Sequence, residues 1–154
     1  MVRRKEISFT TTIVPGRDRT YLALPTEAET IWGDQEHHYV AGTIQGRTFR
    51  GRTEIHGAQH ILPIGPTWLR DNGMDANMTV ECCLHLESPI IDDLPQDFAS
   101  ALRAEPRAAA FFEQIAPFYR KGYLRWVESA KRPETRAKRI MEAVQLLAEG
   151  RSQR

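Results

Sequence analysis

IAPFYRKGYLRWVESAKRPETRAKR, residues 115–139, decides the reading of the chain. Pro117 and Pro133 each suit the first turn of a helix, where a missing N–H costs nothing. Two helices therefore meet at a corner near Pro133. Tyr119, Tyr123 and Trp126 stand four and three residues apart, so a helix places them on one face. From Pro117 to Arg139 eight basic residues face only Glu128 and Glu134. Rings interleaved with Arg120, Lys121 and Arg125 suit phosphate contacts with stacked bases. They equally suit rings that pack the helix onto its neighbours while Lys and Arg stems cover them.

Helical punctuation extends on both sides. Towards the C-terminus Ala137, Ile140, Met141, Val144 and Leu147 form a stripe at helical spacing, and Gly150 is a natural stop. The tail Arg151–Arg154 is expected to fray. Towards the N-terminus Pro95 and Pro106 predict helices starting near Asp97 and Arg107. Residues 94–150 thus read as a compact helical lobe of three to four short helices. Ser88–Asp93, with Pro89 and an acidic pair, reads as a linker.

Before the linker the period changes to two. Ile7, Phe9, Thr11 and Ile13 alternate with Ser8, Thr10 and Thr12, which predicts a half-buried strand ending at Pro15-Gly16. Tyr21–Leu24 is a second short strand. Thr26 and Glu29 have the spacing of a capping box, which predicts a short helix from Pro25 towards Trp32. His38–Gln45 and Thr48–Ile55 predict a hairpin about Gly46-Arg47. Phe49, Gly51, Thr53 and Ile55 would share one face, with Arg50, Arg52 and Glu54 on the other. His60–Ile64 is a further strand, Thr67–Arg70 a helical turn, and Met78–Glu87 a strand with Val80, Cys82, Leu84 and Leu86 on one side. Several short strands with regular turn signals predict a small antiparallel β-barrel over residues 1–88. The fold class expected is α+β, barrel first and helical lobe second.

Composition narrows the class. The 154 residues are long enough to bury a core without disulfide or metal support. A net charge of +1 gives no global field for nucleic acid or membrane. The charge is nonetheless uneven: residues 1–94 carry 9 Lys and Arg against 13 Asp and Glu, and residues 95–154 carry 12 against 7. Adjacent Cys82 and Cys83 point to opposite faces of a strand and are unsuited to an internal bridge. Without a cysteine framework, the cytoplasm is the expected compartment. MVRRKEISFT lacks the apolar core of a signal peptide. No run approaches the ~20 apolar residues of a membrane helix, so no membrane insertion is expected.

The helical half resembles a known family. Leu94-Pro95, Ala101-Leu102, Phe111-Phe112, Pro117-Phe118-Tyr119-Arg120, Tyr123 with Trp126, and Ala130–Arg136 match in register the pattern of the YdeI/OmpD-associated, or bacteriocin-protection, family. The first half is similar to the small β-barrel domain of unknown function often fused ahead of it, through Val40–Gly46, Leu62-Pro63-Ile64 and Leu69-Arg70. Where that domain tends to carry a Gly-Asp step before its last strand, this chain has Ala76-Asn77-Met78. The resemblance implies a barrel plus a helical lobe. Bacteriocin protection is a phenotype rather than a mechanism.

No phosphate loop, GxSxG or dinucleotide fingerprint occurs. No catalytic residue, cofactor or metal ligand is nominated. Cys83 and His85 share a strand face and would need a further ligand to hold a metal. The candidate ligand-binding residues are Tyr119, Tyr123, Trp126, Lys131, Arg132 and Arg136, with Arg50, Arg52 and Arg70 from the barrel half. At the Pro133 corner, N–H groups flanked by Lys131, Arg132 and Arg136 suit an anion; alternatively Glu134 pairs there with Lys138. Arg50 and Arg52 either sit on the solvated outside of a hairpin or line a cleft with Tyr119 and Lys131. The expected function is non-enzymatic binding of a small anionic ligand or a protein partner. The alternatives are nucleic-acid binding through the basic helices and, further behind, an enzyme with a pocket between the lobes.

Overall fold

Alternating side chains leave an apolar face on each strand of the first half, and that face must be covered. The computed structural model describes residues 5–154; the basic start, Met1–Arg4, lies outside the described residues. The chain divides into two compact units, Met1–Glu87 and Ser88–Arg154.

The first unit runs β1 (Ile7–Pro15), β2 (Thr20–Ala23), α1 (Glu27–Trp32), β3 (Tyr39–Ile44), β4 (Arg47–Arg52), β5 (Glu54–His56), β6 (Gln59–Ile64), α2 (Pro66–Asp71) and β7 (Thr79–Leu86). All strand pairs are antiparallel, in the order β4-β3-β7-β1-β2-β6-β5. The two edge strands, β4 and β5, are separated in sequence by Thr53 alone. In a flat sheet six spacings of about 4.8 Å would hold those edges roughly 29 Å apart. The two steps from Arg52 to Glu54 span only about 7 Å, so the sheet must curl into a half-barrel. Thr53 makes the bend. It is fully buried, its N–H donates to the His38 carbonyl at 2.9 Å, and its Oγ1 accepts from the His38 N–H at 2.8 Å. Trp32, Leu22, Ile44, Leu62 and Leu84 fill the interior. On α2, Trp68 meets Phe49 edge-on at 5.2 Å and donates its indole N–H to the Thr48 carbonyl at 3.1 Å.

Three local expectations change. The hairpin turns at Gln45-Gly46, not Gly46-Arg47: Ile44 pairs with Arg47, and both loop residues take positive φ, 51° and 76°. A two-residue type I′ loop needs that pair of left-handed residues to follow the strand twist. The second hairpin strand does not run through to Ile55. It breaks at Thr53, and Ile55 beyond the bend is 44% exposed. The Thr26 side chain makes no cap bond to α1, and Glu29 instead meets His60 Nε2 at 2.8 Å. Before the last strand Asn77 stands at φ 75° and donates its N–H to the Ile13 carbonyl at 2.7 Å. Asparagine tolerates that conformation better than other non-glycine residues.

The second unit opens with a 3₁₀ turn at Ile91–Asp93, followed by α3 (Gln96–Arg103), α4 (Pro106–Gln114), α5 (Pro117–Glu128) and α6 (Pro133–Ala148). Pro106, Pro117 and Pro133 open their helices, and Pro95 is the N-cap of α3. Phe98, Leu102, Phe112, Tyr123, Val127, Ile140 and Leu147 make the core. The α+β layout is the one expected from the sequence.

The stripe on α6 is rotated from its expected phase. Ile140, Ala143 and Leu147 are buried, while Ala137 and Met141 face solvent, Met141 at 74% exposure. The tail is not frayed. Gly150 (φ 79°) ends α6 in a Schellman motif, with Arg151 N–H donating to Leu146 O and Gly150 N–H to Leu147 O, each at 3.0 Å. That reversal turns residues 151–154 back onto α5.

Candidate functional site

α5 shows two faces. On the inner one Tyr123 is buried, and its phenol donates to the Arg151 carbonyl at 2.7 Å. Burial raises its pKa, which keeps the phenol a donor. Tyr119 and Trp126 are half-buried against the same core. The three aromatics therefore share a face and anchor the lobe, which is the packing alternative read from their spacing. Trp126 is also a platform for two cations: the Arg139 guanidinium lies 5.4 Å and that of Arg154 4.5 Å from its ring centre. Arg139 is fixed there by bonds to Trp126 O at 2.9 Å and Ser129 Oγ at 2.8 Å.

Several cations of the 115–139 stretch are committed within the protein. Arg120 is 3% exposed. Its fork donates to the carbonyls of Ile115 (3.0 Å), Pro89 (3.1 Å) and Glu113 (2.7 Å), and it lies over the Phe112 ring at 5.9 Å. Glu113 and Ile115 end α4, so Arg120 satisfies carbonyls that a helix C-terminus leaves without an internal partner. Arg136 clasps Asp97 with two hydrogen bonds, and that cation holds the Asp97 carboxyl below its usual pKa. At the Pro133 corner Lys131 and Arg132 are exposed; Glu134 lies 3.9 Å from Arg132, not against Lys138.

The outer face of α5 forms one wall of a groove. Phe118, Tyr119, Gly122, Tyr123 and Arg125 line it from the helix, and Ser152, Gln153 and Arg154 from the returning tail, around about 440 Å³. Phe118 is 72% exposed and packs edge-on against Tyr119 at 5.3 Å. No aspartate or glutamate side chain lines this groove. Sequence reasoning found Tyr119 and Tyr123 but missed Phe118, Gly122 and the tail. The available signal was a glycine in the middle of a helix.

The first-unit candidates stand beside carboxylates of their own unit. Arg50 pairs with Glu87, Arg52 approaches Glu54 at 4.0 Å, and Arg70 approaches Asp71 at 3.7 Å, all on exposed arginine side chains. Within this unit a polar cluster lies under α1. His38 Nε2 donates to the Gly33 carbonyl at 3.0 Å, its ring is 6.4 Å from that of His60, and His60 holds Glu29. Burial pushes the His38 pKa down to about 4. The Cys83 thiol accepts from Ser8 Oγ at 3.6 Å, and burial raises Cys82 to about 12, far from a reactive thiolate. Among the described residues no group of three or more His, Cys, Asp or Glu is placed to hold a metal. No described helix is long and apolar enough to cross a membrane.

Residues 93–150 match the family model described as bacteriocin-protection, YdeI or OmpD-associated. Residues 9–84 match a domain of unknown function, DUF1905. The two models match the chain in succession, DUF1905 first and YdeI/OmpD-associated second. No curated protein matches it. In its second half it is similar to bacteriocin-protection proteins. The buried Arg120 and the α5 wall of the groove lie within residues 93–150, the tail wall lies beyond them, and the histidine cluster lies within residues 9–84.

Proposed function

We propose that this chain is a non-enzymatic cytoplasmic protein that binds a small anionic molecule, or an acidic surface of a protein partner, on its YdeI/OmpD-associated domain. One observation carries the reading: the α5–tail groove combines an exposed aromatic ring with two arginines, and no acidic side chain lines it. An anion there would meet Arg125 and Arg154. Trp126, outside the lining, would hold the wall rather than touch the ligand. Arg120, Arg136 and Arg139 make their hydrogen bonds within the chain, which reduces the cation count open to nucleic acid. The groove lining offers no nucleophile paired with a general base, so binding rather than catalysis is the proposal.

The test is thermal shift at low salt against a panel of anionic metabolites and phosphates. A ligand should raise the melting temperature of the wild type and not of an Arg125→Glu, Arg154→Glu variant. No shift with any panel member rejects the small-ligand reading. Salt-sensitive retention of DNA or RNA, lost in the same variant, would transfer the site to nucleic acid.

A further inference from the structure

Gly122 lies near the middle of α5 and is exposed. Glycine disfavours a helix interior relative to alanine because its unfolded backbone has more freedom to lose. Close approach of another group commonly explains such a residue. Here a Cβ added at Gly122 would meet nothing within 4 Å. The helix therefore gives up stability for an open space, and that space is the groove floor. Phe118, Gly122 and Arg125 stand at i, i+4 and i+7, so ring, gap and cation follow one stripe. Places where a local rule is broken without a packing reason are expected to be functional or strained sites.

We infer that Gly122 is the floor of a slot for a flat aromatic ring bearing an anionic group, an aryl carboxylate or aryl phosphate. The ring would lie on bare helix backbone beside Phe118 and Tyr119. Its anionic group would reach Arg125 and the Arg154 guanidinium. A groove of about 440 Å³ is within the range of small-molecule clefts. This inference rests on the anion-binding reading above and adds the ligand's shape.

The experiment is calorimetric titration of the full chain with phenyl phosphate, benzoate, inorganic phosphate and benzyl alcohol, alongside amide NMR of Gly122. Phenyl phosphate and benzoate should shift the Gly122 amide. Inorganic phosphate and benzyl alcohol should each bind at least about tenfold more weakly. Gly122→Leu should fill the slot and weaken phenyl phosphate by at least about tenfold, with no fall in melting temperature, since leucine favours helix. Gly122→Ala adds one methyl group and should weaken binding in a more thermally stable protein, which separates a blocked slot from a damaged fold. Unchanged phenyl phosphate affinity in both glycine variants would overturn the slot. So would inorganic phosphate binding as tightly as phenyl phosphate, although anion binding would then stand. No binding by any of the anions would remove the anion-binding reading and the slot together.

Discussion

Arg136 and Asp97 face each other in a two-point contact, Nε to Oδ2 at 2.7 Å and Nη2 to Oδ1 at 3.0 Å. The pair ties the first turn of α6 to the first turn of α3, 39 residues earlier. A residue read from the sequence as a ligand-binding candidate thus has a structural partner. Both side chains are partly exposed, 28% for Arg136 and 50% for Asp97, so solvent screens the pair. Arg136→Ala should lower stability by about 1 kcal/mol or less and leave anion binding in the α5–tail groove unchanged. Denaturant unfolding and the thermal-shift panel check the two halves of that statement.

The same pair has a pH signature. Arg136 depresses the folded-state pKa of Asp97 below its ordinary 3.8. The stabilisation is therefore present above the unfolded value and is lost as pH falls through the folded one. An NMR titration should show the Asp97 carboxyl titrating below 3.8 in the wild type and returning towards it in Arg136→Ala.

Arg120 should be the least tolerant cation among the described residues. Truncation to alanine leaves three carbonyls without their donor in a buried place. The cost should be about 3 kcal/mol or more, because unsatisfied buried polar groups carry their full desolvation penalty. Arg120→Lys should rescue little, since one ammonium cannot reproduce the planar fork. Chemical denaturation of both variants measures this; a lysine variant as stable as the wild type would contradict it.

His38 should make the DUF1905 domain sensitive to mild acid. Its folded pKa is about 4 against an ordinary 6.5, chiefly through burial, with His60, His37 and Lys5 adding repulsion. The unfolded state then binds more protons between about pH 4 and 6.5, so stability rises with pH across that window and levels off above it. His38→Gln should flatten this slope. Urea midpoints measured from pH 4 to 7.5 would show it, and an equal slope in the variant would assign the effect to another group.

The docked tail depends on two small features. Gly150 holds φ 79°, where alanine costs about 1 kcal/mol. Tyr123 donates to Arg151 O, and Tyr123→Phe should forfeit about 1 kcal/mol. Both variants should accelerate hydrogen exchange at the Arg151 amide, which bonds Leu146 O in the wild type. They should also loosen the groove wall made by Ser152 and Arg154, seen as weaker anion binding.

Much of this architecture is legible in the sequence for a plain reason. Period-two alternation in residues 7–13 and 78–87 can bury only one sheet face, and prolines at 106, 117 and 133 can open helices but not continue them. Tyr119, Tyr123 and Trp126 share a face by spacing alone. What spacing does not carry is the partner. Whether Arg120 meets solvent or three carbonyls depends on where α4 ends, and whether Arg136 is open depends on Asp97, far away in sequence. The bend at Thr53 depends on β4 and β5 taking opposite edges of one sheet, a long-range pairing with no local signature. The groove needed the tail to fold back on α5. Local periodicity determines which surfaces are apolar; only tertiary packing decides which charges are consumed within the protein and which remain for a ligand.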